Sequence, residues 1–137
     1  MATILAIDYG SVRVGLAITD TDQRFALALK TISSEPRNEC FEAIRRVAND
    51  ECVERLLLGL PLTMEGQDGP QASIVRAFGN ELTNNLGLPV EFVDERFSTK
   101  SSAMAAIMKG MKSPDAEAAR LLLETWLEKK KRDSLWM

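Results

Sequence analysis

The chain has 137 residues, with 17 Lys and Arg against 20 Asp and Glu, two Cys, no His and a formal net charge of −3. That length suits a single domain over 1–137, and 45% apolar with 27% charged residues excludes the disordered and fibrous classes. Without histidine there is no Ser-His-Asp or Cys-His triad and no His-ligated metal, and Cys40 and Cys52 cannot supply a four-thiolate zinc site.

The pattern opens with β-structure. Thr3-Ile4-Leu5-Ala6-Ile7 is a nearly continuous apolar run, as a strand buried on both faces requires. A turn at Gly10 and Ser11 leads into Val12–Ile18, and Asp20-Thr21-Asp22-Gln23 turns the chain into a third strand over Phe25–Ile32. Three strands joined by short turns form an antiparallel meander. The period then changes. Phe41, Ile44, Val47 and Ala48 fall at helical spacing within Pro36–Asn49.

Val53–Leu58 predicts a short strand that stops at Gly59-Leu60-Pro61, followed by a polar loop over Thr63–Pro70. A second helix carries Ile74, Val75, Phe78, Leu82 and Leu86 on one stripe and stops at Gly87. Val90–Val93 is the last strand, and two helical segments, about Thr99–Lys109 and Ser113–Lys131, finish the chain. The order βββαβαβα implies an α/β fold: a mixed five-stranded sheet with helices on both faces and the later strands parallel to the first. Phe25, Phe41 and Phe78 are expected in the core, with Trp126 beside them. Both cysteines are expected as unbridged thiols.

No segment has the ~20 consecutive apolar residues of a membrane span, and Met1-Ala2-Thr3-Ile4 carries no basic leader region, so a cytoplasmic location is expected.

The acids stand out by position. Asp8 ends the first strand, and Asp94 and Glu95 end the last, where open α/β sheets bind their ligands. Asp115 follows Ser113 and Pro114, an N-cap and N1 pair, and shares a helical face with Ala119, Leu122 and Trp126. Each acid alone has an ordinary alternative: a turn residue at Asp8, an ion pair at Glu95, a helix-dipole acid at Asp115. Together, without histidine, they suit an oxygen-ligand site for Mg²⁺ or Mn²⁺ and phosphoryl chemistry.

The same residues carry a family resemblance. Asp8-Tyr9-Gly10-Ser11-Val12-Arg13-Val14-Gly15-Leu16-Ala17, Gly59-Leu60-Pro61-Leu62 through Gly66, Asp94-Glu95-Arg96-Phe97-Ser98-Thr99, and Asp115 ahead of Ala118-Ala119 and Leu122 resemble, in order and spacing, the YqgF family. Its members are described as pre-16S rRNA nucleases or Holliday-junction resolvase homologues. The resemblance implies an RNase H-like fold with Asp8, Glu95 and Asp115 as catalytic and metal-binding acids, and Asp94 as the weaker candidate. It also implies Arg13 and Arg96 as basic groups beside the acids, and the Gly59–Gly66 loop at the border of the substrate groove. Lys109 and Lys112 are further candidate phosphate contacts, in a basic stretch shorter than relatives often carry; Lys129-Lys130-Lys131-Arg132 either compensates or is a solvated helix end.

The implied partner is nucleic acid, an rRNA precursor first and structured DNA second, with no membrane, for a monomer or weak homodimer. Two other readings compete. One is a non-catalytic RNA or ribosome-assembly binding protein, which fits the acidic balance and should bind with steep salt dependence. The other is an ATPase of the actin and sugar-kinase type, whose phosphate hairpin the Asp8–Ser11 turn also resembles. That fold needs two such domains and a second phosphate loop, and 137 residues hold one copy.

Overall fold

The computed structural model describes residues 3–95 and 114–135. Strands β1 (Thr3–Tyr9), β2 (Arg13–Thr19) and β3 (Ala26–Ser33) form the meander. Helix α1 (Arg37–Asp50), β4 (Val53–Leu60), α2 (Pro70–Leu86), β5 (Val90–Asp94) and α3 (Pro114–Leu135) follow. The sheet order is β3-β2-β1-β4-β5, antiparallel across β3-β2-β1 and parallel across β1-β4-β5. The mixed five-stranded sheet expected from the element order is therefore the observed one.

β1 lies at the centre and is buried from Thr3 to Ile7, which explains its unbroken apolar run. Because side chains alternate, Leu5 and Ile7 point to one face and Ile4 and Ala6 to the other. On the first face Leu16, Leu56 and Leu58 pack with Phe41, Ile44 and Val47 of α1 and Val75, Phe78 and Leu82 of α2. Tyr9 and Phe41 stack on Phe78, with ring centroids 4.0 and 5.3 Å away. Each such fully buried side chain contributes roughly 1.5–3 kcal/mol. On the second face Ala17 and Leu57 join Ile4 and Ala6 against Ala119 and Leu123 of α3. The small residues on this face let the long helix approach the sheet closely.

Local stops follow their chemistry. Gly87 adopts φ 71° and closes α2 by donating its N–H to the Thr83 carbonyl at 2.9 Å, as expected of that glycine. Asp20 accepts hydrogen bonds from the N–H groups of Arg24 and Phe25, both at 2.8 Å, and this turn launches β3. The Phe25 bond above all holds the Asp20 carboxyl below its usual range. Cys40 is buried and Cys52 exposed, both unbridged, and burial pushes the Cys40 thiol up.

Three expectations are corrected. β4 does not stop at Leu58 but continues through Gly59 and Leu60, because both still pair with Val93 and Asp94 of β5. Ile74 is 48% exposed rather than on the buried stripe of α2. It precedes Val75 by about 100° of helical turn, and the buried stripe is Ala72, Val75, Phe78, Gly79 and Leu82. Phe25 is 63% exposed, since it leads into an edge strand whose middle is itself exposed. Among the described residues no helix is long and apolar enough to cross a membrane.

Candidate active site

The two-residue period of the strands decides which acids meet. The α3 side of the sheet is marked by Ile4 and Ala6 in β1, Ala17 in β2, Leu57 in β4 and Val93 in β5. Stepping by two along each strand puts Asp8, Gly15 and Arg13, and Gly59 on that same side, and Glu95, just past the end of β5, reaches it over Gly59. Asp94 falls on the opposite side. Asp8 lies opposite Gly15 in the antiparallel ladder.

Two glycines hold the flanking acids against this end of β1. A Cβ on Gly15 would run into the main chain of α3, with the Ala116 nitrogen 2.8 Å away and the Asp115 carbonyl nearer still. The first turn of α3 thus rests on β2 beside Asp8. A Cβ on Gly59 would meet the Glu95 side chain, with Cδ at 3.0 Å and Cγ at 3.1 Å, so Glu95 lies back over β4. Asp8, Glu95 and Asp115, contributed by β1, the end of β5 and α3, are half-buried on one face around one strand end.

Arg13 joins them. The Gly10 N–H donates to the Arg13 carbonyl at 2.9 Å, closing the β1–β2 turn and fixing the Arg13 backbone. The Arg13 Nε donates to Asp115 Oδ2 at 2.9 Å. Tyr9, on the opposite face, accepts a hydrogen bond from Arg37, which also pairs with Glu81 at 3.0 Å. The Tyr9 bond holds the Arg37 guanidinium above its ordinary range. That cation serves the α1–α2 side and leaves the acids alone.

The donor set is three carboxylates with no sulfur or imidazole, which fits a hard divalent cation such as Mg²⁺ or Mn²⁺. Among the described residues no three of His, Cys, Asp and Glu stand close enough together to hold a metal ion. The acids therefore share a face without being gathered into a cage.

Arg96, Lys109 and Lys112, and with them Ser98 and Thr99, lie outside the described residues. After β4, the Thr63–Gln67 turn is bonded to itself: Thr63 and Gly66 donate main-chain N–H groups to Gln67 and Thr63 carbonyls, each at 2.9 Å. It sets Met64, 86% exposed, at the same end of the sheet as the acids. A cleft of about 720 Å³ opens beside Asp94, between β5 and the second half of α3, with Arg55, Lys129, Lys130 and Arg132 in its wall. Trp126, half-buried there, donates Nε1 to Glu91 at 2.7 Å. Three of the four bases of the C-terminal run therefore line a cleft.

Gly15 and Gly59 stand within the motif blocks, but their role as points of close approach to Asp115 and Glu95 was missed. The available signal was an isolated glycine inside a strand pattern, which marks close approach by another backbone or side chain.

Residues 2–129 match the family model described as RuvX: Holliday junction resolvase. The chain belongs to the RuvX family. This is the family, also called YqgF, that the sequence motifs resemble. The chain is similar to a protein named "Putative pre-16S rRNA nuclease" from Anaeromyxobacter sp. (strain K), 39% identical over 132 residues, covering 92% of this chain and 96% of that one. A protein of the same name from Chloroflexus aurantiacus is 37% identical over 131 residues, covering 91% of this chain and 86% of the relative. Among solved structures, Thermus thermophilus RuvC in complex with a Holliday junction substrate superposes with a TM-score of 0.61 at 14% identity, over 96% of each chain. That likeness identifies the RuvX-family fold here as RNase H-like.

Proposed function

We propose that the chain is a divalent-metal-dependent nuclease that hydrolyses RNA phosphodiester bonds, with the 5′ end of precursor 16S rRNA as its substrate. The observation that carries this reading is the placement of Asp8, Glu95 and Asp115 on one face around the end of β1, in a RuvX-family chain. The names of the RuvX relatives support an RNA substrate. Lys129, Lys130 and Arg132 in the cleft beside Asp94, set among Glu91, Asp94 and Asp133, are candidate phosphate-backbone contacts. The cell compartment that fits this substrate is the cytoplasm.

Asp8 is the central ligand, since its strand lies between the strands that carry Gly15 and Gly59. Glu95 and Asp115 complete the set from either side. Asp8, Glu95 and Asp115 would hold the cation, which would polarise the phosphodiester, lower the pKa of a bound water and offset charge on the leaving oxygen, tasks that need no imidazole. The residues of the chain do the rest. Three carboxylates supply the negative charge that would hold the cation, the close contacts at Gly15 and Gly59 set Asp115 and Glu95 on the face of Asp8, and Arg13 supplies positive charge for the phosphate at the edge.

A structured-DNA substrate is the second reading, favoured by the description of the RuvX family. The test is a cleavage assay on precursor rRNA, a Holliday junction and single-stranded RNA, with the wild-type chain and Asp8→Asn, in Mg²⁺ or Mn²⁺. Cleavage of the rRNA by the wild type alone supports the proposal. Preferential cleavage of the junction moves it to DNA. RNA binding without cleavage in either metal replaces it with the non-catalytic reading.

A further inference from the structure

Arg13 and Asp115 are joined side chain to side chain across 102 positions of sequence, at an acid whose main chain packs against Gly15 of β2. The two partners differ in freedom. The Asp115 main chain is packed tightly on Gly15 through the first turn of α3. The Arg13 backbone is pinned by the Gly10 bond, but its side chain is 65% exposed and free to swing, against 29% for Asp115. A guanidinium on Oδ2 and a divalent cation on the same carboxylate compete for one set of lone pairs. An ion pair this exposed contributes little stability, so it is exchangeable.

We infer that Arg13 is the resident counter-charge of Asp115, displaced when the acids take up a divalent cation. The released guanidinium then takes a phosphate oxygen of the substrate. The inference rests on the metal-dependent reading above. Arginine suits both stations, because its fork matches carboxylate and phosphate alike and stays charged throughout. The exchange leaves the local charge balanced at each stage: Arg13 offsets Asp115 before the cation arrives, and offsets phosphate afterwards. It is also consistent with the three acids standing on one face without closing into a cage, since one of them is paired with a base.

The experiment is Mn²⁺ titration calorimetry on the full chain for the wild type, Arg13→Gln, Asp115→Asn and the double variant, with thermal melts to check folding. Arg13→Gln is expected to tighten Mn²⁺ binding two- to fivefold, the equivalent of about 0.4–1 kcal/mol at 1.4 kcal/mol per tenfold. Asp115→Asn should weaken Mn²⁺ binding and remove any effect of Arg13→Gln. In parallel, Arg13→Gln should lower the slope of log affinity against log salt for RNA by about one. Unchanged or weaker Mn²⁺ binding in Arg13→Gln, with Asp115→Asn still weakening it, overturns the counter-charge role and leaves the metal site standing. Unchanged Mn²⁺ binding in Asp115→Asn refutes the metal reading itself, and the inference with it.

Discussion

Gly15→Ala is the sharpest probe of how the site is assembled. The new Cβ would sit 2.8 Å from the Ala116 nitrogen and nearer still to the Asp115 carbonyl, where ordinary contact is 3.4–4 Å. Both obstacles are main chain, so no side-chain rotation relieves them. The first turn of α3 must lift by at least 0.6 Å, the difference between 3.4 and 2.8 Å, and further for the carbonyl. Overpacking of this kind costs about 1–3 kcal/mol. At about 3–5 °C per kcal/mol for a chain of this size, the melting temperature should fall by about 3–15 °C. The lift also carries Asp115 away from Asp8, and a displacement of about 1 Å in a catalytic group can cost about a hundredfold in rate. Calorimetric melting and single-turnover cleavage of precursor rRNA, run below the variant's melting range, measure the two effects separately. A variant as stable and as fast as the wild type would refute both the contact and its role.

Gly59→Ala should behave differently, because its obstacle is the Glu95 side chain, which can swing aside. Its melting temperature should stay within about 2 °C of the wild type while Mn²⁺ affinity and cleavage fall, and equal losses of stability in the two glycine variants would contradict this. Phe78→Ala removes the ring stacked between Tyr9 and Phe41, and urea unfolding should show a loss of about 3–5 kcal/mol. Asp20, held below its usual pKa chiefly by the Phe25 N–H, stabilises the fold above the unfolded carboxylate pKa of about 3.9 and loses that contribution as pH falls through its folded value. Asp20→Asn should therefore be less stable than the wild type at pH 6, with the gap narrowing in melts below pH 4.

Much of the fold was legible because the residues repeat at the period of their element. Thr3–Ile7 read as a central strand since both its faces are covered, and Phe41, Ile44 and Val47 read as a helix since only one is. Ile74 and Phe25 misled for a common reason: apolar character does not report whether a neighbour covers the position, and an edge strand and a helix flank lack that cover. The end of β4 was misjudged because Gly59-Leu60 looks like a turn in sequence, yet pairing with β5 extends the ladder across it.

For the site, strand ends and a helix start pointed to Asp8, Glu95 and Asp115, which the fold sets on one face with Asp94 on the other. The means of bringing them together was not legible, because it lies in side chains that are missing at Gly15 and Gly59. The resemblance set Arg13 beside the acids, but Asp115 as its particular partner was hidden, since the pair joins residues 102 positions apart. Arg96, in a motif that carries the resemblance, and Lys109 and Lys112, in the shortened basic stretch, lie outside the described residues.

The central claim is that Asp8, Glu95 and Asp115 act as one catalytic unit. Single-turnover cleavage of precursor rRNA by Asp8→Asn, Glu95→Gln, Asp115→Asn and the triple variant tests it directly. Groups that work as a unit are strongly non-additive. Each single change should cost about a thousandfold or more, and the triple variant should be no slower than the worst single one. Wild-type cleavage by any of the three, or losses that multiply independently into the triple variant, would contradict the account.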